Sequence, residues 1–311
     1  MALPSYASPV QKTYYYLYLF FCGVVFFFLV APLIAIVPIS FSVSPFMVFT
    51  DGMLAWPPDP EAWSLRWYKN MIGDCSADVV SSTVPCSNKW MIGTLNSFFI
   101  GIVATVIATS LGTLAALGLS RPHMPFKGII MAILISPMIV PLIITAAGMF
   151  FFYARINLVY TFTGVILAHV ALATPFVVIT VTATLVGFDM NMVKAAQSLG
   201  ARPVKTFFRV IMPLILPGII SGALFAFITS FDEVVIVMFM ASLDQLTIPK
   251  QMWAGIRQEI SPVILCMATC LVALSIFLLT TVELLRRRSE RLRGIKSVSY
   301  THLTLPTILL V

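Results

Sequence analysis

Two adjacent carboxylates sit inside an apolar run, Ser230-Phe231-Asp232-Glu233-Val234-Val235. An acidic side chain at the centre of a membrane helix costs roughly 2.5–3.5 kcal/mol on insertion scales. Such residues therefore face a cavity or a partner. Two readings follow. Asp232, with Glu233 beside it, lines a path and attracts a cation. Alternatively the two belong to a hydrogen-bonded or salt-bridged pair at a subunit interface. Successive helix positions point about 100° apart, so one groove does not take both equally. His169, in Ala168-His169-Val170-Ala171, has no titratable neighbours to complete a proton relay and reads as a hydrogen-bonded packing residue. Cys75 and Cys86 share a polar segment, where an oxidising compartment permits a disulfide. The alternative is two independent thiols. Cys266 and Cys270 lie four apart on one helix face and read as packing residues, since no histidine or third cysteine completes a metal set. The chain has no Gly-Lys pair, so no P-loop, and no route to ATP hydrolysis of that kind. No His-Glu, Ser-His-Asp or Cys-His constellation points to a membrane enzyme.

The elements that must position these residues are membrane helices. Of 311 residues, 59% are apolar and only 10% charged, against about 25% charged in a soluble domain. Apolar runs of about 20 residues cross the hydrocarbon core. Six such spans are expected at 17–41, 92–119, 129–153, 163–187, 214–240 and 263–284. They are too long and too uniformly apolar for barrel strands, so the fold class is an all-α membrane bundle. The first span is too long for a signal peptide, and no small-residue cleavage site follows it. It is expected to be a retained anchor. The net charge of +7 does not point to nucleic acid, because the basic residues flank apolar runs, where they orient helices.

With the N-terminus inside, the cytoplasmic segments hold most of the Lys and Arg, including Lys194, Arg202, Lys205, Arg209 and the run Arg286-Arg287-Arg288. Asp51, Asp59, Glu61, Asp74, Asp78, Asp244 and Glu259 fall outside. Both termini are thus expected to be cytoplasmic. The longest outside loop, 42–91, holds Trp56-Pro57-Pro58-Asp59-Pro60 and then Ser64-Leu65-Arg66-Trp67-Tyr68-Lys69-Asn70. The second piece suits a helix at the headgroup level, or an ordinary loop with a tryptophan anchor. His123, in a short inside loop, is expected to be solvated or near a cytoplasmic partner. Gly218 and Gly222 form a G-x-x-x-G that allows close packing, toward a second membrane subunit among other choices. Residues 1–297 are read as a single transmembrane domain. Residues 298–311 are too short to span and have no amphipathic period, and they are read as a non-native tail.

Between the fourth and fifth spans, residues 189–213 read as two short helices with a corner. Asp189 or Asn191 caps the first helix, and Ala195-Ala196 give it a small face. Gly200 ends it in the left-handed conformation, and Pro203 opens the second helix. Val204, Phe207, Phe208 and Ile211 are expected along one side of that helix, with Pro213 and Pro217 bending the chain into the fifth span. Such an elbow suits a groove in another protein or an anionic lipid surface.

This segment resembles the EAA loop of ABC importer permeases: Glu-Ala-Ala, three residues, Gly, nine residues, then Ile-x-Leu-Pro. Lys194-Ala195-Ala196, Gly200 and Val210-Ile211-Met212-Pro213 keep that spacing. Lys194 stands where the family has Glu and reverses a charge. The resemblance implies a type I (MetI-like) permease of a bacterial inner membrane. Its elbow would couple to a separate cytoplasmic ATPase, through Lys194, Ala195, Ala196, Gly200, Val210 and Pro213. It also implies a second, similar permease subunit and a periplasmic solute-binding protein, with ATP and magnesium on the ATPase and no cofactor in this chain. Thr229-Ser230-Phe231-Asp232-Glu233-Val234-Val235, Ser64-Leu65-Arg66-Trp67-Tyr68 and Leu246-Thr247-Ile248-Pro249-Lys250-Gln251-Met252-Trp253 resemble the spermidine/putrescine subgroup. Carboxylates with aromatic faces suit such polycations. The alternatives are another small solute, such as an amino acid derivative or a metal ion, and an ion-coupled secondary transporter. The second would be expected to show inverted repeats, and none is visible.

Overall fold

The structure is a computed structural model that describes residues 8–74, 88–121, 123–258 and 260–292. Cys75, Cys86 and the segment 298–311 lie outside the described residues. The chain divides into two compact units, one through Thr269 and one from Cys270 onward. The described part of the second unit is helical throughout.

Helix α1 (Pro9–Ile39) is capped by Ser8 and Gln11 and has no buried residue along its length. A helix apolar on all sides suits lipid all round. Three short elements follow: α2 (Asp51–Leu54), a 3₁₀ turn at Pro60–Ala62 and α3 (Arg66–Met71). The segment is a short helix, α3, and not an ordinary loop, and Trp67 faces protein and not lipid. It is fully buried, its Nε1 donates to Ser42 O at 2.8 Å, and the Arg66 guanidinium lies over its ring. Satisfying the indole N–H inside protein removes its reason to sit at an interface.

The core is three helices, α4 (Lys89–Leu119), α7 (Phe162–Val186) and α10 (Met212–Phe231), packed pairwise. Between α4 and α7 lie α5 (Lys127–Ile139) and α6 (Leu142–Arg155); between α7 and α10 lie α8 (Asn191–Ser198) and α9 (Pro203–Thr206). On α4 the buried positions Trp90, Gly93, Ser97, Ile100, Ala104 and Ala108 recur every three or four residues, so one stripe faces inward. Buried residues of α7 point in all directions, because its neighbours surround it. Small residues let the backbones approach. A Cβ on Gly222 would sit 3.0 Å from Val177 Cα, and one on Gly218 would strike Thr184. The G-x-x-x-G thus packs against α7 of the same chain and not toward another subunit.

Two expected spans are broken. The third is α5 and α6, bent by 104° at Val140-Pro141. Val140 precedes a proline and takes an extended conformation, as the proline ring requires of its neighbour. The fifth ends at Phe231 and resumes as α11 (Val235–Met240). Helices α12 (Ile248–Gln258) and α13 (Val263–Leu292) complete the chain. Among the described residues five helices are long and apolar enough to cross a membrane, or six spans if the bent pair counts as one.

The elbow also differs from expectation. Its second helix does not bend away at Pro213; Pro203–Phe231 is one helical path. A π-helical turn at Phe207–Ile211 lies just before Pro213, with Met212 N–H reaching Phe207 O. That widened turn accommodates a proline without an N–H. The apolar side splits as well: Ile211 packs toward the core, while Val204 and Phe208 are exposed.

Candidate functional site

The two helix breaks meet at one cavity of about 380 Å³. Its walls are the α5–α6 break from Pro137 to Leu142, Leu172 and Phe176 of α7, and Thr229 and Glu233 at the α10–α11 break. The pairing comes from the second halves of the broken spans, since α6 packs directly on α11.

Glu233 is therefore not at a helix centre, as its apolar surroundings suggested, but between helices. It is 7% exposed, and its Oε1 accepts from Ile236 N–H at 2.9 Å. This is a cap: a carboxylate satisfying an orphan donor at the positive end of α11. Asp232 ends α10, with its N–H on Ile228 O at 3.0 Å, and its side chain is exposed. The structure thus separates the adjacent carboxylates into a buried one on the cavity and an exposed one off it. A lone carboxylate with the Phe176 ring and aliphatic walls suits an organic cation: charge for the head, apolar surface for the methylenes.

The other end of α11 carries the opposite charge. Lys250 of α12 donates through Nζ to Ala241 O at 2.8 Å and Val237 O at 3.4 Å. Burial pushes its ammonium below the ordinary lysine value. A cation at the negative end of a helix complements its dipole. The segment leading into α12 is fixed to α4. Asn96 Nδ2 donates to Asp244 O at 2.8 Å and Leu246 O at 2.9 Å, and Ser97 Oγ accepts from Ile248 N–H at 2.9 Å.

His169 is buried in α7, with its Nδ1 2.8 Å from Ser230 Oγ on the last turn of α10. That agrees with a packing role. Neither Cys266 nor Cys270 is in a disulfide, and Cys266 Sγ donates to Ser40 O at 3.3 Å.

The elbow forms a second exposed feature. Asp189 Oδ1 accepts from Asn191 N–H at 2.9 Å and so serves the start of α8. At its end Gly200 has φ +79, Gly200 N–H bonds Gln197 O and Ala201 N–H bonds Ala196 O. This is a Schellman ending. Lys194, Ala195 and Pro213 are exposed, and Ala196 and Val210 are half-buried. Leu199 is 89% exposed, and Met192 and Val204 are exposed as well.

Four features escaped the sequence reading, the α10–α11 break at Asp232-Glu233 among them. The α5–α6 break had a signal, the Pro137 and Pro141 pair inside an apolar run. The roles of Phe176 and Lys250 had none, because both depend on which helices meet.

The family model for the binding-protein-dependent transport system inner membrane component matches residues 108–291. That stretch contains the elbow and both breaks. The chain is 27% identical to the spermidine/putrescine transport system permease protein PotC of Haemophilus influenzae over 271 residues, 87% of this chain and 96% of that one. It is 30% identical to the putrescine transport system permease protein PotI of Escherichia coli K12 over 252 residues, 78% of this chain and 81% of that one. Among solved structures it is similar to a chain of a bacterial ABC transporter involved in the import of the acidic polysaccharide alginate. The TM-score is 0.68 at 14% identity, over 92% of this chain and 99% of that chain. That likeness concerns the fold.

Proposed function

The chain belongs to the family of binding-protein-dependent transport system inner membrane components, and from that premise we propose that it forms half of the path by which an ATP-driven importer moves a polyamine. Its relatives' names include spermidine and putrescine. The observation that carries the cationic cargo is Glu233: a buried carboxylate on a cavity where two spans are interrupted. In transporters, discontinuous helices of this kind mark solute sites. Exposed Asp232 adds negative charge nearby.

The remaining parts of the machine lie outside this chain. A second, similar permease supplies the other half of the path, and a periplasmic solute-binding protein delivers the cargo to the outer segments. Cytoplasmic ATPase subunits, holding ATP and magnesium, dock on the elbow through Lys194, Ala195, Ala196, Gly200, Val210 and Pro213. The exposed Leu199, Met192 and Val204 give that docking an apolar surface. Both termini then lie in the cytoplasm, in agreement with the Lys and Arg distribution.

The test is uptake by the complete importer in proteoliposomes with ATP supplied at the ATPase side. Labelled putrescine and spermidine are expected to enter only with ATP. Glu233→Gln should slow that entry about tenfold, the scale of a lost charge-assisted hydrogen bond. Uptake driven by an ion gradient without ATP would overturn the importer reading. Entry confined to uncharged solutes or metal ions would overturn the cargo.

A further inference from the structure

We propose that Lys250 is a positioning residue for the cation path, acting through α11 to hold the Glu233 carboxylate on the cavity. The proposal rests on the reading of Glu233 given above and extends it to a residue that does not touch the cavity.

The argument starts from the length of α11. Six residues from Val235 to Met240 form little more than one turn, too short to hold helical shape unaided. Its shape comes from packing on α6 and α7, through buried Ile236, Val237 and Met240, and from the hydrogen bonds at its ends. At the amino end Glu233 takes Ile236 N–H. At the carboxyl end Lys250 gathers Ala241 O and Val237 O, and Tyr160 N–H takes Met240 O at 2.9 Å. The two charged side chains have the signs that the helix dipole favours. They also differ in what stands behind them. Lys250 follows a segment fastened to α4, one of the three core helices, by Asn96 and Ser97. Glu233 follows a break, with the cavity in front of it.

Beside the packing of α11 on α6 and α7, one polar route runs from α4 through the segment 244–248 to Lys250, then α11, then Glu233. Releasing Lys250 leaves Ala241 O without its donor, leaves Val237 O with Ala241 N–H alone, and withdraws the positive charge from the negative end of α11. α11 then loses the polar support at its carboxyl end, and the carboxylate at its other end shifts on the cavity. Arginine can replace lysine here, since it also brings a positive charge and several donors. Methionine keeps the stem and removes both.

The experiment is a double-substitution cycle in the reconstituted importer, read as ATP-dependent putrescine uptake per assembled complex. Lys250→Met is expected to lower uptake about tenfold, and Lys250→Arg to stay within about twofold of the original chain. In a Glu233→Gln background, Lys250→Met should cost nothing further, because the two act as one unit. If Lys250→Met does not assemble, Lys250→Gln takes its place in the same cycle. Losses that multiply independently, or an Arg variant as impaired as the Met variant, would overturn the positioning role alone. Full uptake by Glu233→Gln would overturn both this proposal and the reading on which it stands.

Discussion

The His169 imidazole and the Ser230 hydroxyl lie 2.8 Å apart inside the protein, and they join α7 to α10 at the last turn before the chain breaks. Among the described residues the other ring nitrogen, Nε2, is buried with no hydrogen-bond partner. Ser230→Ala would leave both nitrogens in that state. The expected loss is about 1 kcal/mol, at the upper side of interhelical hydrogen bonds in membranes. A lowered unfolding temperature of the detergent-solubilised complex would register it; Ser230→Thr, which keeps the hydroxyl, should recover most of the loss.

Gly222 sets the distance between α7 and α10. Gly222→Ala places a methyl 3.0 Å from Val177 Cα, a backbone atom that cannot rotate aside. Separation of the two helices should cost about 1–3 kcal/mol, the usual range for overpacking. Gly128→Ala is the control, since nothing lies within 4 Å of its added methyl. Thermal unfolding of both variants, side by side, checks this.

Gly200 tests conformation without packing. An added Cβ there meets nothing within 4 Å, yet φ is +79. Gly200→Ala should therefore cost about 1 kcal/mol through the left-handed backbone alone. Gly200→Asn, better tolerated in that region, should cost less. If α8 docks on the ATPase, the Ala variant also retains less ATPase during affinity purification, and the Asn variant retains more than it does.

Trp67 anchors the segment between α1 and α4. Trp67→Ala removes a fully buried side chain and should destabilise that segment by about 3–5 kcal/mol. Proteolysis within residues 42–74 should accelerate accordingly. Trp67→Phe retains most of the volume and leaves Ser42 O without its donor, so the cost should fall to about 1 kcal/mol.

Residues whose meaning is local were legible in the sequence. The Gly200 turn and the Pro203 start each depend on a few neighbours, and each has its expected form; neither Asp189 nor Asn191 is the N-cap of α8, which is Met190, though Asp189 accepts from Asn191 N–H. Apolar length alone located the helices. What sequence could not supply was depth and company. Asp232 and Glu233 were expected within a continuous span, because nothing in Phe231-Asp232-Glu233-Val234 spells a break. The break depends on Glu233 turning back to cap α11. The Gly218 and Gly222 seam was open between partners until α7 appeared opposite it. The Val140-Pro141 break had a local signal that the long apolar run obscured.

One consequence of the Glu233 cap is entropic. A free glutamate gives up about 1.5–2 kcal/mol of rotamer freedom when it is immobilised. Here the bond from Ile236 N–H immobilises the side chain as the protein folds, before any cargo arrives. If Glu233 receives the cation as proposed, the cation meets an acceptor that is already oriented, so its binding need not order that side chain. The same bond that shapes a six-residue helix thereby leaves the carboxylate ready for an incoming charge.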